Sequence, residues 1–410
     1  NFARTLKVEN SNQISNPYWL TETFSTLFQV KNQKDLLQPE SCPSFVKKIK
    51  LLIEKDTVRI PLVGTYKWRI PSYGEKRRYV IKTPDFSANF DQKLLVVKPG
   101  FEKKLKLNIH SFRNNLSEKI TINAPQGWEV LPKSIDVAID KLHEEKWVEL
   151  TLKPTDLGKS GILKLMDSKG NQLYSYTEIA YNHIRTQVIF SKAEINCVKL
   201  DAKIKPGKIA YIKGAEDIVP EAIEQLGFEV TRFEVSDLSS LDLSQFQSVV
   251  LGIRIYNVQP ELKNFEEKLF AYVKAGGNLV MQYNTASRRA SGETFGPIPF
   301  ELTRNRVTEE DAEVNFLEPK HPIMTTPNKL TKKDFDNWVQ ERGLYFAGNW
   351  HESYIPLFSW ADKGEDEQKG ALIVTKHGKG QFVYTGISFF RELPNGVEGA
   401  YKLFANILSY

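Results

Sequence analysis

The side chains best suited to chemistry gather behind the apolar runs of the chain's second half. Arg254, Tyr256 and Asn257 close the run SVVLGIRIYN, and Gln282, Tyr283 and Asn284 close NLVMQYN. Trp338, Glu341, Arg342 and Tyr345 come from WVQERGLYF, while Phe389, Phe390 and Arg391 follow a run ending at Ile387. Amide, guanidinium and aromatic groups together suit a sugar, with flat faces for C–H stacking and planar forks for hydroxyls. In a hydrolase or isomerase acting on a sugar, Glu341 would be the acid or base and Arg254 would orient the substrate. The competing role is to lock a long loop onto a sheet, because a buried Arg or Asn must be hydrogen-bonded.

Other chemistries find less support. The histidines are His110, His143, His183, His321, His351 and His377, and none forms HxH, HExxH or another close ligand pair, so no metal is expected. A nucleophile elbow needs Ser or Cys flanked by glycines, but NLVMQY leads into Asn284-Thr285-Ala286-Ser287. Ser287 therefore reads as a loop serine. The segment KGAEDIVPE has one glycine and acids at a helix start, the wrong setting for a phosphate. The charge of +6 arises from 56 basic and 50 acidic residues that are interleaved. Without an Arg/Lys stripe among aromatics, nucleic acid is not expected as a partner. The basic balance fits a solvated surface, one able to meet anionic polysaccharide or lipid headgroups.

The elements that must position these groups run from Gly207 to Asn284. KIAYI, FEVTRFEV, SVVLGIRIYN and NLVMQYN read as strands, separated by amphipathic helices and bounded by Gly or Pro. Such βαβ units build a mostly parallel sheet whose ligand sits at the carboxyl ends of its strands. Asp217 is placed to cap the first helix, Pro220 to open it and Gly227 to end it, with Ile218, Ala222, Ile223 and Leu226 inward. A closing helix spans 399–410, and residues 285–350 form a long polar, aromatic-bearing excursion. The first two hundred residues alternate apolar and polar over short runs, as antiparallel sandwiches do. Two are expected, over 1–99 and 100–190, with a connector over 191–205 and the α/β domain over 206–410.

A chain of 410 residues with 41% hydrophobic content can bury several cores. Cys42 and Cys197 are too few for a disulfide framework. No apolar run reaches the ~18 residues of a membrane span. The opening Asn1-Phe2-Ala3-Arg4, without a methionine or signal peptide, reads as a processed or truncated start with further chain upstream.

The runs GIRIYN…YVKAGGNLVMQYNT, RVTEEDAEV, HPIM, PNKLTKKDFDNWVQERGLYF and GKGQFVYTGISFFRELPNGVEGAYKLFANILS resemble the C-terminal region of large bacterial PIG-L/LmbE-type (GlcNAc-PI de-N-acetylase) deacetylases of the Bacteroidetes kind. NPYWL and VGTYKWRIPSYGEKRRYVIKTPDFSANF resemble the β-rich middle of those proteins. The resemblance implies two immunoglobulin-like β-sandwiches followed by a flavodoxin-like doubly wound sheet of the class I glutamine amidotransferase or ThuA-like kind. It also implies an upstream zinc N-deacetylase domain with an A-H-P-D-D motif. This sequence has no such motif, and His321-Pro322 continues with Ile323-Met324, so no zinc ligand carries over. The amidotransferase cysteine is missing as well. The expected role is non-catalytic: to position a glycan or amino-sugar for the upstream domain, in an extracytoplasmic bacterial setting. A purely structural or dimerising module is the remaining alternative.

Overall fold

A computed structural model describes residues 14–22, 27–286 and 293–410. The chain divides into two compact units, Asn1–Leu95 with Glu102–Ile195, and Val96–Phe101 with Asn196–Tyr410. It is β-rich and multidomain, with few helices. No helix among the described residues is long and apolar enough to cross a membrane.

The first unit is built on antiparallel pairing. One sheet orders Phe86–Phe90, Lys103–Ser111, Glu145–Pro154 and Trp128–Leu131. A second holds Ser134–Ile139, Leu116–Asn123 and Gly161–Met166 side by side in that order. Alternate residues leave water on these strands: Leu105, Leu107 and Ile109 on one, Leu116, Ile120 and Ile122 on another. That period of two is the mark of a sheet with one covered face.

Two expectations are corrected here. The division at Pro99-Gly100 fails because Phe86–Phe90 pairs with Lys103–Ser111 across it. Residues 46–79 build no sandwich; they form two separate hairpins, Val46–Ile53 with Asp56–Val63 and Thr65–Ile70 with Gly74–Tyr79. Alternation specifies which residues share a face, not what covers that face, and the first hairpin is exposed along its whole length. The connector is not loose either. It holds the strand Glu194–Lys199, where Cys197 is fully buried.

The second unit carries a seven-stranded sheet. Its strands are β1 (Lys208–Ile212), β2 (Glu229–Phe233), β3 (Ser248–Leu251), β4 (Asn278–Gln282), β5 (Ile355–Pro356), β6 (Leu372–His377) and β7 (Gly380–Thr385). They lie in the order β2-β1-β3-β4-β7-β6-β5. Every pair from β2 to β7 is parallel, and the last two are antiparallel. Helix α1 (Val219–Leu226) starts where the Asp217 carboxylate accepts from the Val219 N–H at 2.8 Å and stops at Gly227, φ 94°. Ile218 falls just outside the first turn and is exposed, so Val219 takes its place in the core. Helix α2 (Glu266–Ala275) ends at Gly276, φ 126°.

The run SVVLGIRIYN is a strand only to Leu251. Beyond it the chain meets the loop after β1 at backbone distance: Ala215 N–H donates to Ile253 O at 2.8 Å. A Cβ on Gly214 would lie 2.2 Å from that oxygen. Arg254 then turns left-handed, φ +54°, and Ile255–Val258 is a helical turn. Arg254, Tyr256 and Asn257 thus stand on a turn, not on a strand.

Helix α3 (Glu398–Ser409) is buried nearly all round. Asn406 inside it donates to Ile323 O and Asn328 O, each at 2.7 Å, so this polar group is fully occupied. At its start Gly399 presses on the backbone of Asp334, where a Cβ would lie 1.6 Å from the carbonyl oxygen. Gly399→Ala is expected to cost on the order of 1–3 kcal/mol or more by overpacking. Chemical denaturation checks this; unchanged stability would contradict the close approach.

Candidate functional site at the strand ends

In an open α/β sheet the ligand crevice opens where strand order reverses, here between β1 and β3. The Gly214–Ile253 backbone contact fills that point. Its polar lining is turned inward: Tyr211 OH donates to Asp217 at 3.0 and 2.8 Å, and Gln282 Nε2 donates to Tyr211 OH and Leu251 O, both at 3.3 Å. Burial raises the Asp217 carboxyl above its ordinary range. A cavity of about 420 Å³ remains to one side, lined by Lys213, Glu216, Glu221, Arg232 and Glu234 among others.

Most of the residues expected at the site are locked into the structure. Asn284 accepts from the Tyr256 N–H at 2.9 Å and donates to Gln282 O at 2.9 Å, filling the elbow with a structural amide. Asn257 exchanges two bonds with the Thr285 backbone. Tyr256 donates to Glu266 and packs edge-on against Phe295. Ser287 lies outside the described residues. Trp338 stacks on Phe335 and donates its N–H to Asp334 O. Arg342 is 3% exposed. It donates to Ala312 O at 3.2 and 2.7 Å and to Phe335 O at 2.6 Å, and its carbon lies 5.3 and 5.7 Å from the ring centroids of Trp338 and Trp360. Burial brings its guanidinium down to about 10, so it remains a cation at neutral pH.

What is left forms a rim. The Tyr283 ring stacks on Phe390 with centroids 5.2 Å apart and meets Tyr345 at 5.5 Å. Arg391 lies over the Phe390 face and donates to Glu341 Oε1 at 2.7 Å, which Ser388 also donates to at 2.8 Å. Glu341 therefore anchors Arg391. Arg254 is exposed, and among the described residues no hydrogen bond or ion pair ties down its guanidinium. Burial raises the Tyr283 hydroxyl, with Tyr345 and Glu341 adding to the rise and Arg254 and Arg391 opposing it.

Arg254 at φ +54°, Asn337 at +58°, Gln340 at +71° and Tyr345 at +54° are left-handed without being glycine. Each conformation costs ~1–2 kcal/mol, and such strain gathers at binding sites. It is held by Arg254 N–H donating to Tyr283 O at 2.7 Å and Tyr384 OH donating to Tyr345 O at 2.5 Å.

Ser388 and Glu392 went unnoticed in the sequence, where only their neighbours Phe389, Phe390 and Arg391 drew attention. Glu392 is wholly buried, with Oε2 accepting from the Val339 N–H at 3.0 Å and Oε1 without a hydrogen-bond partner among the described residues. Burial pushes its carboxyl from the ordinary 4.5 up to about 8, against the Val339 bond and the Arg342 charge, with Glu341 and Glu310 adding to the rise.

No family model matches the chain, and no curated protein matches it. Among solved structures it is similar to the exo-β-1,4-mannosidase Op5Man5 from Opitutaceae bacterium strain TAV5 (7% identity, TM-score 0.30), covering 50% of this chain and 36% of that one. It is also similar to a Salmonella α-2-macroglobulin mutant (13% identity, TM-score 0.20, covering 36% of this chain and 10% of that one). A third is AvmM, which catalyses macrocyclization in alchivemycin A biosynthesis (8% identity, TM-score 0.16, covering 35% of this chain and all of that one). The chain thus spans about a third of the mannosidase's length.

The Glu392 carboxyl yields a pH prediction. A folded pKa above the unfolded one means that the folded state keeps the proton longer. Its contribution is therefore fully present below about 4.5 and is lost as pH rises to about 8. At ~1.4 kcal/mol per unit, Glu392→Gln should gain on the wild type by a few kcal/mol between about pH 5 and about pH 9. Urea midpoints of the two proteins measure it; a difference independent of pH would contradict the buried neutral acid.

Proposed function

We propose that this chain is a non-catalytic accessory region of a PIG-L/LmbE-type zinc N-deacetylase, and that it holds an amino-sugar or glycan at the Tyr283–Phe390–Tyr345 rim. The sequence resemblance supplies the family, with zinc and catalysis in an upstream domain of the same polypeptide and an extracytoplasmic bacterial setting. The parallel order β2-β1-β3-β4-β7 supports reading the second unit as flavodoxin-like, of the amidotransferase kind. One observation carries the binding role. An exposed guanidinium, untethered among the described residues, is held in a strained backbone beside two stacked rings.

The chemistry of that pair favours one form of sugar. The rings offer faces to C–H groups, and Arg254 offers only donors. Hydroxyls and an acetamido carbonyl accept from it, whereas the ammonium of a deacetylated sugar is repelled. The rim thus suits the N-acetylated form over the free amine.

A catalytic reading fails on access. Glu341 is occupied by Ser388 and Arg391, and Glu392 is out of reach of any substrate. A deacetylation assay on this chain should give nothing above buffer; zinc-dependent turnover would overturn the reading. Calorimetry with N-acetylated oligosaccharides should show binding that Arg254→Gly and Phe390→Ala each weaken at least ~10-fold. Arg254→Gly also relieves a left-handed Arg at the expense of a freer unfolded chain, so its stability should stay within about 1 kcal/mol of the wild type. Unchanged affinity in both variants would leave only a structural or dimerising role.

A further inference from the structure

The histidines lie far apart in sequence, yet the first unit brings two of them together. His110 is on the strand Lys103–Ser111, and His143 is in the turn before Glu145–Pro154. His110 Nε2 lies 3.3 Å from His143 Nδ1. On the other side of the ring, His110 Nδ1 lies 3.1 Å from Glu145 Oε1, and Asn108 Nδ2 donates to Glu145 Oε2 at 2.9 Å. We propose that His110 and His143 together bind a divalent late first-row metal ion such as Zn²⁺, with Glu145 as the outer carboxylate that orients His110.

Spacing is the first argument. Two nitrogens at ~2.0–2.1 Å from one tetrahedral Zn²⁺ lie ~3.3–3.4 Å apart, the separation already present here. Tautomer is the second. Glu145 accepts from Asn108 Nδ2 at 2.9 Å and faces His110 Nδ1 at 3.1 Å, and a carboxylate only accepts, so the proton of His110 sits on Nδ1. The Nε2 lone pair is left to face His143. A carboxylate behind a ligating imidazole is the usual outer shell of such sites. Glu145 stands directly opposite His110 in the strand ladder, so register places it there.

The second ligand is pre-placed as well. Ser111 holds the turn from both sides: its N–H donates to Glu144 O at 3.0 Å, and its carbonyl accepts from the His143 N–H at 2.8 Å. His143 takes a left-handed backbone, φ +63°. Phe112 and Tyr176 flank the His110 ring, at centroid distances of 4.7 and 5.6 Å. Binding requires the His143 proton to move from Nδ1 to its exposed Nε2 and the two rings to tilt until their lone pairs converge. No net proton is released when both rings start neutral. No group of three or more His, Cys, Asp or Glu is placed to hold a metal among the described residues. Two protein ligands and exchangeable waters therefore make up the site, which is open to solvent at His143.

Zn²⁺ titrated into the full chain by calorimetry is expected to bind one ion per chain, reversibly with EDTA, and to lose affinity as pH falls through the imidazole range. His143→Asn keeps a residue that tolerates the left-handed backbone and should abolish that binding without shifting the melting temperature. Glu145→Gln should weaken it ~10–100-fold. In NMR spectra of the wild type, the Cε1–H signals of His110 and His143 should move, and those of the other four histidines should not. An ion bound equally well by His143→Asn, or no binding by the wild type, would overturn the proposal and leave a hydrogen-bonded pair.

Discussion

The burial of the Arg342 guanidinium is the constraint on which the second unit's excursion depends. A cation removed from water costs several kcal/mol unless its N–H groups and faces are occupied. Here carbonyls of Ala312 and Phe335 take the donors, and Trp338 and Trp360 supply the flanking rings. These partners come from three stretches of the chain, at Ala312, at Phe335 to Trp338 and at Trp360, so satisfying one side chain fixes the path of all three. The same bonds seat the residues around Arg342. Glu341, one position earlier, can then fasten Arg391, and Tyr345, three positions later, reaches Tyr283.

A division of labour follows among residues of one chemical kind. Amides and guanidiniums at strand ends suit a sugar and suit a loop lock equally well, and burial decides which task each performs. Gln282, Asn284, Asn257, Trp338 and Arg342 have their polar atoms turned to protein partners. Arg254 has its charge in solvent and its backbone in a costly conformation. Glycine there would relieve the strain but leave a freer unfolded chain, so stability gives little preference either way. The buried Glu392 is a second stability cost in the same neighbourhood, linked by charge to Glu341, which holds Arg391 at the rim.

The second unit was legible because its punctuation is local. Asp217, Pro220 and Gly227 mark the first helix within a few residues, and the helix appears where they place it. The turn at Arg254 was not legible, because it arises from a backbone contact with Gly214, forty residues away. Arg342 read as a sugar fork for the same reason: its carbonyl partner at Ala312 lies thirty residues upstream. In the first unit, alternation located strands but not their covers, so hairpins read as a sandwich. The His110–His143 pair depends on strand register, which spacing along the chain does not express.

The most direct test of the account is the Nε–H resonance of Arg254, followed during titration with matched oligosaccharides in N-acetylated and deacetylated form. The account predicts a saturable shift of Arg254 with the N-acetylated sugar, a weaker response to the free amine, and little movement of Arg391, which Glu341 already holds. An unmoved Arg254 resonance, or tighter binding of the deacetylated sugar, would contradict it.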